Sequence, residues 1–169
     1  MATTADLLLD MLGRVRENAN QVLDDTPEEL LGTPPAEGAN TVAWLVWHLS
    51  RVIDEQITGE LGDHAVWEAG GWRARFDLPL PGDAHGYGMT FDQVLLVQAP
   101  AKDLRGYVDA SCEAAAEALR PLTDADLDRV VDERWDPPVT LAVRLVSVLG
   151  DATQHVGQAA YASGILSRR

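Results

Sequence analysis

The residues with the clearest capacity for chemistry are the four histidines, His48, His64, His85 and His155. His155 follows Asp151 by four residues. On a helix such a pair shares one face about one turn apart, so both side chains can grip a single ion. His48 stands in an almost continuously apolar stretch, Val42-Ala43-Trp44-Leu45-Val46-Trp47-His48-Leu49. A histidine from a facing helix would complete a three-ligand set, which is how helical bundles build metal sites from inward residues. Three protein ligands also leave positions open for water or substrate, as catalytic sites require. The competing reading is a hydrogen-bonded core histidine beside an ordinary helical ion pair.

Four long segments must position these groups. The first helix starts after Thr3 or Thr4 and runs to about Asp25, with Leu8, Met11, Leu12, Val15, Ala19, Val22 and Leu23 in three-and-four spacing. Thr26-Pro27-Glu28-Glu29 opens a short extra turn. Asn40 is the expected cap of the second helix, which runs from Thr41 to about Leu61 and stops at Gly62. Its apolar first half calls for a place deep in a core or between subunits. Gly62 to Met89 has six Gly, two Pro and no sustained period, with Trp67, Trp72, Phe76 and Tyr87, and such a loop is usually functional. Thr90-Phe91-Asp92-Gln93 fits a capping box. A third long helix follows Pro100 and ends near Arg120-Pro121, and Asp124 to Asp128 can add a turn. Trp135-Asp136-Pro137-Pro138 forms a rigid turn into the last helix, from about Thr140 to Ser163, closed by Gly164. Val130-Val131 is too short for a convincing strand. The expected fold is all-α, a four-helix bundle forming a single domain over 1–169, with the long Gly- and aromatic-rich insertion between helices two and three.

Composition removes several function classes. Thirteen Lys plus Arg against 27 Asp plus Glu leave a net charge of −14, which repels nucleic acid and anionic membranes. The 46% hydrophobic fraction is that of a globular chain. Cys112 is the only cysteine, so an internal disulfide and a Cys-rich metal site are excluded, and its place mid-helix suits a small buried hydrophobe. No signal-peptide pattern opens the sequence, and no run approaches the roughly 18 apolar residues that span a bilayer. The expected location is cytoplasmic.

Trp44-Leu45-Val46-Trp47-His48-Leu49-Ser50-Arg51, together with Gln154-His155-Val156-Gly157-Gln158, resembles the DinB-like superfamily. More narrowly, the chain is similar to its actinobacterial branch, related to mycothiol S-transferases and to the N-terminal domain of mycothiol-dependent maleylpyruvate isomerase. Trp135-Asp136-Pro137-Pro138-Val139-Thr140 and Val143-Arg144-Leu145-Val146-Ser147 extend the likeness. It implies a divalent metal, zinc first and nickel or another as alternatives, held by His48, Asp151 and His155. Many members carry His where this chain has Asp151. It also implies mycothiol or a similar thiol as cosubstrate, deprotonated at the metal for attack on an electrophile, and a homodimer. Isomerase activity is not implied, because the chain's length has no room for that enzyme's further domain.

Weaker candidates surround the triad. Arg51 shares the face of His48 and can hold a carboxylate or a sugar-linked thiol, or pair with Asp54 or Glu55. Gln158 follows His155 by three and can orient a ligand. Trp44, Trp72 and Trp135 can wall a pocket, and His64 or His85 can add a fourth ligand. Catalytic residues beyond these are unassigned. The leading function is a metal-dependent thiol transferase. The alternatives are a non-catalytic, stress-related binding or scaffold protein, and a metal-dependent hydrolase with Glu55 as general base.

Overall fold

A computed structural model describes residues 1–62 and 64–168. The chain is mostly helical, with one small two-stranded sheet. Helix α1 spans Thr4–Asp25. Thr3 caps it in a reciprocal box with Asp6, satisfying donors that the first turn leaves free. A 3-10 turn at Glu28–Leu30 follows. Helix α2 spans Val42–Ile53, continues as a π-helical turn over Asp54–Thr58, and ends in the short α3, Gly59–Leu61. The cap of α2 is Thr41, not Asn40: its buried hydroxyl accepts the Trp44 amide at 3.1 Å.

The Gly- and aromatic-rich segment after α3 carries short helices. It holds α4, Val66–Ala69, and α5, Trp72–Phe76, before α6, Phe91–Val94, begins at the expected Thr90 box. Helix α7 spans Ala101–Leu119 and α8 spans Leu141–Leu166. Helix α8 passes straight through Gly164, which keeps a helical backbone; a glycine ends a helix when it turns left-handed, and this one does not. A further correction concerns Val130. Strand β1, Val130–Asp132, pairs antiparallel with β2, Val139–Thr140, across a bulge, so tertiary pairing rescues a segment whose own pattern is too short.

Packing explains why α2 is apolar on every side. It lies against both α7 and α8, while α1 packs on the same two helices. Every residue from Val42 to Arg51 is buried within this one chain, so the apolar half of α2 is accounted for by the core. The shared core joins Leu12 and Val15 of α1, Leu45 and Leu49 of α2, Leu104 and Val108 of α7, and Leu145 and Leu149 of α8.

The hairpin is tied to α8 by charge. Asp132, 7% exposed, accepts from the Arg134 backbone amide at 3.0 Å and from its Nε and Nη2 at 2.9 and 2.8 Å. Arg144 Nη2 of α8 adds a bond at 3.3 Å, and its Nη1 donates to Gln56 in the π turn. The Arg134 side-chain bonds, then its amide, hold the Asp132 carboxyl well below the usual carboxylate range against the opposing effect of burial. A carboxyl depressed in the folded state adds stability above its unfolded value of about 4, and that stability fades as pH falls toward the folded value. Asp132→Asn is therefore expected to lower the urea midpoint at neutral pH. The gap from the unaltered chain is expected to shrink as pH drops below about 4, and a gap that stays constant across the titration contradicts the assignment.

Candidate metal centre

Helix α2 contributes His48, and α8 contributes Asp151 and His155. One ligand atom from each of the three lies within 4.8 Å of the others. A single point therefore sits within about 2.8 Å of all three, a slight closure away from the roughly 2.0–2.2 Å of zinc bonds to nitrogen and oxygen. His48 is 6% exposed, and its ring centroid stands 4.7 Å from that of His155 at 74°. Trp44 stacks on His48 at 4.6 Å and 19°, and meets His155 edge-on at 6.0 Å. Such aromatic contacts contribute about 0.5–1.5 kcal/mol each beyond area burial and fix the ring planes.

The hydrogen bonds settle which nitrogens are free. His48 Nδ1 donates to the backbone carbonyl of His85, leaving Nε2 with its lone pair. His155 Nδ1 donates to Gln158 Oε1 at 3.0 Å, leaving Nε2 facing Asp151 Oδ1 at 3.4 Å. Partners on the second nitrogen are how proteins orient ligating imidazoles. Among the described residues, Asp151 Oδ2 is buried with no hydrogen-bond partner. An orphaned carboxylate oxygen in a cluster with two imidazoles is a donor set that a divalent cation can satisfy.

Electrostatics point the same way. Burial is the largest influence on His48 and pushes its pKa down, favouring the neutral ring, although the His85 carbonyl pulls the other way. The bond from His155 holds the Asp151 carboxyl down, so the carboxylate stays ionised. Burial opposes protonation of His155, but the Asp151 bond and charge outweigh it and raise its pKa. A neutral imidazole, an anionic carboxylate and a second imidazole that shares its proton with that carboxylate form a set ready to exchange a proton for a cation.

The other expected site residues fall in different places. Trp44 and Gln158 do border the triad. Arg51, 4% exposed, is taken up by the protein itself: its Nε donates to Ala84 O at 3.0 Å, its Nη1 to Tyr107 Oη at 3.5 Å, and its guanidinium lies over the Trp67 ring at 4.8 Å. Trp72 packs on Phe76 and Tyr107 and over Gly106 of α7. Trp135 is exposed on the hairpin turn. His64 is exposed, and neither it nor Glu55 belongs to the ligand cluster among the described residues. His85 serves through its carbonyl, while its ring accepts the Tyr87 amide at 3.3 Å.

Sequence reasoning missed the backing of the site. Trp44, His48 and Arg51 recur at helical spacing on one face of α2 and meet Met89, His85 and Ala84 in turn, so residues 84–89 run antiparallel along that face. Gly86 makes the approach possible. Its φ is +108°, and a Cβ there would stand 2.3 Å from His48 Nδ1. The glycine was the visible signal, but nothing in the sequence says which side chain its backbone approaches.

Comparisons with known proteins bear on the family and the fold. The family description "DinB superfamily" matches residues 11–159, a span that includes all three ligand candidates. A conserved protein from Enterococcus faecalis, known from its crystal structure, is 30% identical over the whole of both chains with a TM-score of 0.92. No curated protein matches the chain. With a family match over most of its length and a full-length structural relative, the chain belongs to the DinB superfamily.

Proposed function

We propose that this protein is a metal-dependent transferase that activates a low-molecular-weight thiol of the mycothiol type for attack on an electrophile. The observation that carries this reading is that His48, Asp151 and His155 each bring a ligand atom within 4.8 Å of the others, while Asp151 Oδ2 has no hydrogen-bond partner. On this reading the chain is a DinB-like four-helix bundle of the actinobacterial, mycothiol-using branch, and zinc is the first choice of metal. A bound cation supplies positive charge that favours the ionised form of a thiol beside it.

The protein's own residues do the rest. Asp151 and the two imidazoles fix where the sulfur must come, and Trp44 walls one side of that point against water. Gln158 keeps the His155 ring from turning. The thiol gives its proton to bulk water, its sulfur bonds to the electrophilic carbon, and the leaving group departs with the electron pair of the broken bond and is protonated from water. An external thiol is needed because the chain's own is unfit. Cys112 is 3% exposed in the core, and burial pushes its pKa up to about 12. A second copy is the proposed partner. With the apolar half of α2 covered, the exposed Leu7 and Met11 of α1 and Val146 and Tyr161 of α8 are among the apolar residues open to it.

Titrating metal-stripped protein with zinc in a calorimeter is expected to show about one site per chain, lost in His48→Ala and in His155→Ala. Heat of dilution alone from the unaltered chain removes the metal centre. With zinc present, conjugation of a model electrophile by mycothiol is expected to fall roughly 100-fold or more in His155→Ala and to persist in Cys112→Ala. Zinc uptake without conjugation by any thiol leaves a metal-binding protein that is not a thiol transferase.

A further inference from the structure

The face of α2 that carries His48 is occupied along its length by the insertion. Trp44 Nε1 donates to Met89 Sδ at 3.3 Å, His48 Nδ1 to His85 O, and Arg51 Nε to Ala84 O at 3.0 Å. One turn further, Asp54 accepts the amides of Val66 and Trp67 at 2.7 and 2.8 Å, capping α4 from outside. Arg51 stands between these two attachments. Its guanidinium lies 4.0 Å from Asp54 Oδ2, over the Trp67 ring, and within reach of Tyr107, whose hydroxyl donates to the same carboxylate at 2.9 Å. Each partner restricts the arginine, and the arginine in turn fixes Ala84, the residue immediately before the carbonyl that His48 uses.

The geometry points to Arg51 as a positioning residue for the metal centre. By pinning Ala84 it holds the His85 carbonyl on His48 Nδ1, so that the tautomer with a free Nε2 is set before any cation arrives. This rests on the metal-centre reading above and adds to it a reciprocal coupling. If docking of residues 84–89 favours cation binding, cation binding must favour docking of residues 84–89 by the same factor. The chemistry needs no contact between Arg51 and the ligand. A neutral imidazole carries its proton on one nitrogen or the other, and the hydrogen bond at one end decides which nitrogen is left to ligate. Losing that bond leaves Nε2 protonated in part of the population and unable to hold a metal.

The test uses the full chain with Arg51→Met, which keeps an apolar stem, and Gly86→Ala, which disturbs the approach to His48 without touching the Arg51, Asp54 and Tyr107 cluster. Nitrogen-15 shifts of the His48 ring in metal-stripped protein report the tautomer. Calorimetry reports zinc affinity, and hydrogen exchange reports docking of residues 84–89. The unaltered chain is expected to show the Nδ1–H form and slower exchange of these amides once zinc is added. Both variants are expected to show a mixture of tautomers, faster exchange, and zinc affinity weaker by roughly 10- to 100-fold. Should Arg51→Met fail to fold, Arg51→Gln takes its place, because Gly86→Ala tests the docking of residues 84–89 and not the arginine. A folded variant with the Nδ1–H tautomer and zinc affinity unchanged overturns the positioning role while leaving the metal centre intact. Absence of zinc binding in the unaltered chain overturns the metal centre and the coupling with it, whatever the tautomer.

Discussion

Burying a histidine in the most apolar turn of a helix obliges the fold to find a partner for each ring nitrogen. An unpaired polar group away from water costs several kcal/mol, so His48 cannot be left to the core as a leucine could. One nitrogen is met by a backbone carbonyl from the insertion, and the other faces two side chains of α8. Much of what surrounds the site follows from this. The insertion has to lie along α2, a glycine has to stand next to the carbonyl, and Arg51 has to be buried to hold the approach.

The same obligation separates the polar interior into two parts. The triad keeps a carboxylate oxygen with no hydrogen-bond partner, which a buried polar atom rarely lacks. Around Asp54 the situation is reversed. Both carboxylate oxygens are used by amides, a tyrosine and a nearby guanidinium, and the group is closed to any ligand. The buried Asp54 cluster and the half-exposed Asp151 cluster thus differ in kind: one is finished by the protein and one is not.

The legible part of this arrangement was the part governed by helical periodicity. Asp151 and His155 sit four apart, and His48 interrupts an apolar run; both facts are local, and both survive into three dimensions. Helix α1 is readable for the same reason, because spacing and a Thr cap are properties of neighbouring residues. Arg51 was legible in part: its pairing with Asp54 follows from a spacing of three, while its partners Ala84 and Tyr107 lie 33 and 56 positions away in sequence. The docking of residues 84–89 was hidden for a deeper reason. It is made by backbone atoms, which every residue has, so side-chain identity gives no hint of it beyond the glycine. The hairpin, a few residues long, and the π turn belong with it, since each depends on hydrogen bonds that local propensity does not specify.

Two of the three ligands ride on α8 and one on α2, and this uneven division has a mechanical meaning. Asp151 and His155 keep a fixed mutual spacing, since one helical turn joins them. With the side-chain rotamers held, the dimension of the triad that the backbone can adjust is the gap between two helices packed directly on each other. That gap works as a caliper. Any change of side-chain volume between α2 and α8 opens or closes its jaws, so the core packing of the molecule gauges the size of ion the jaws can hold.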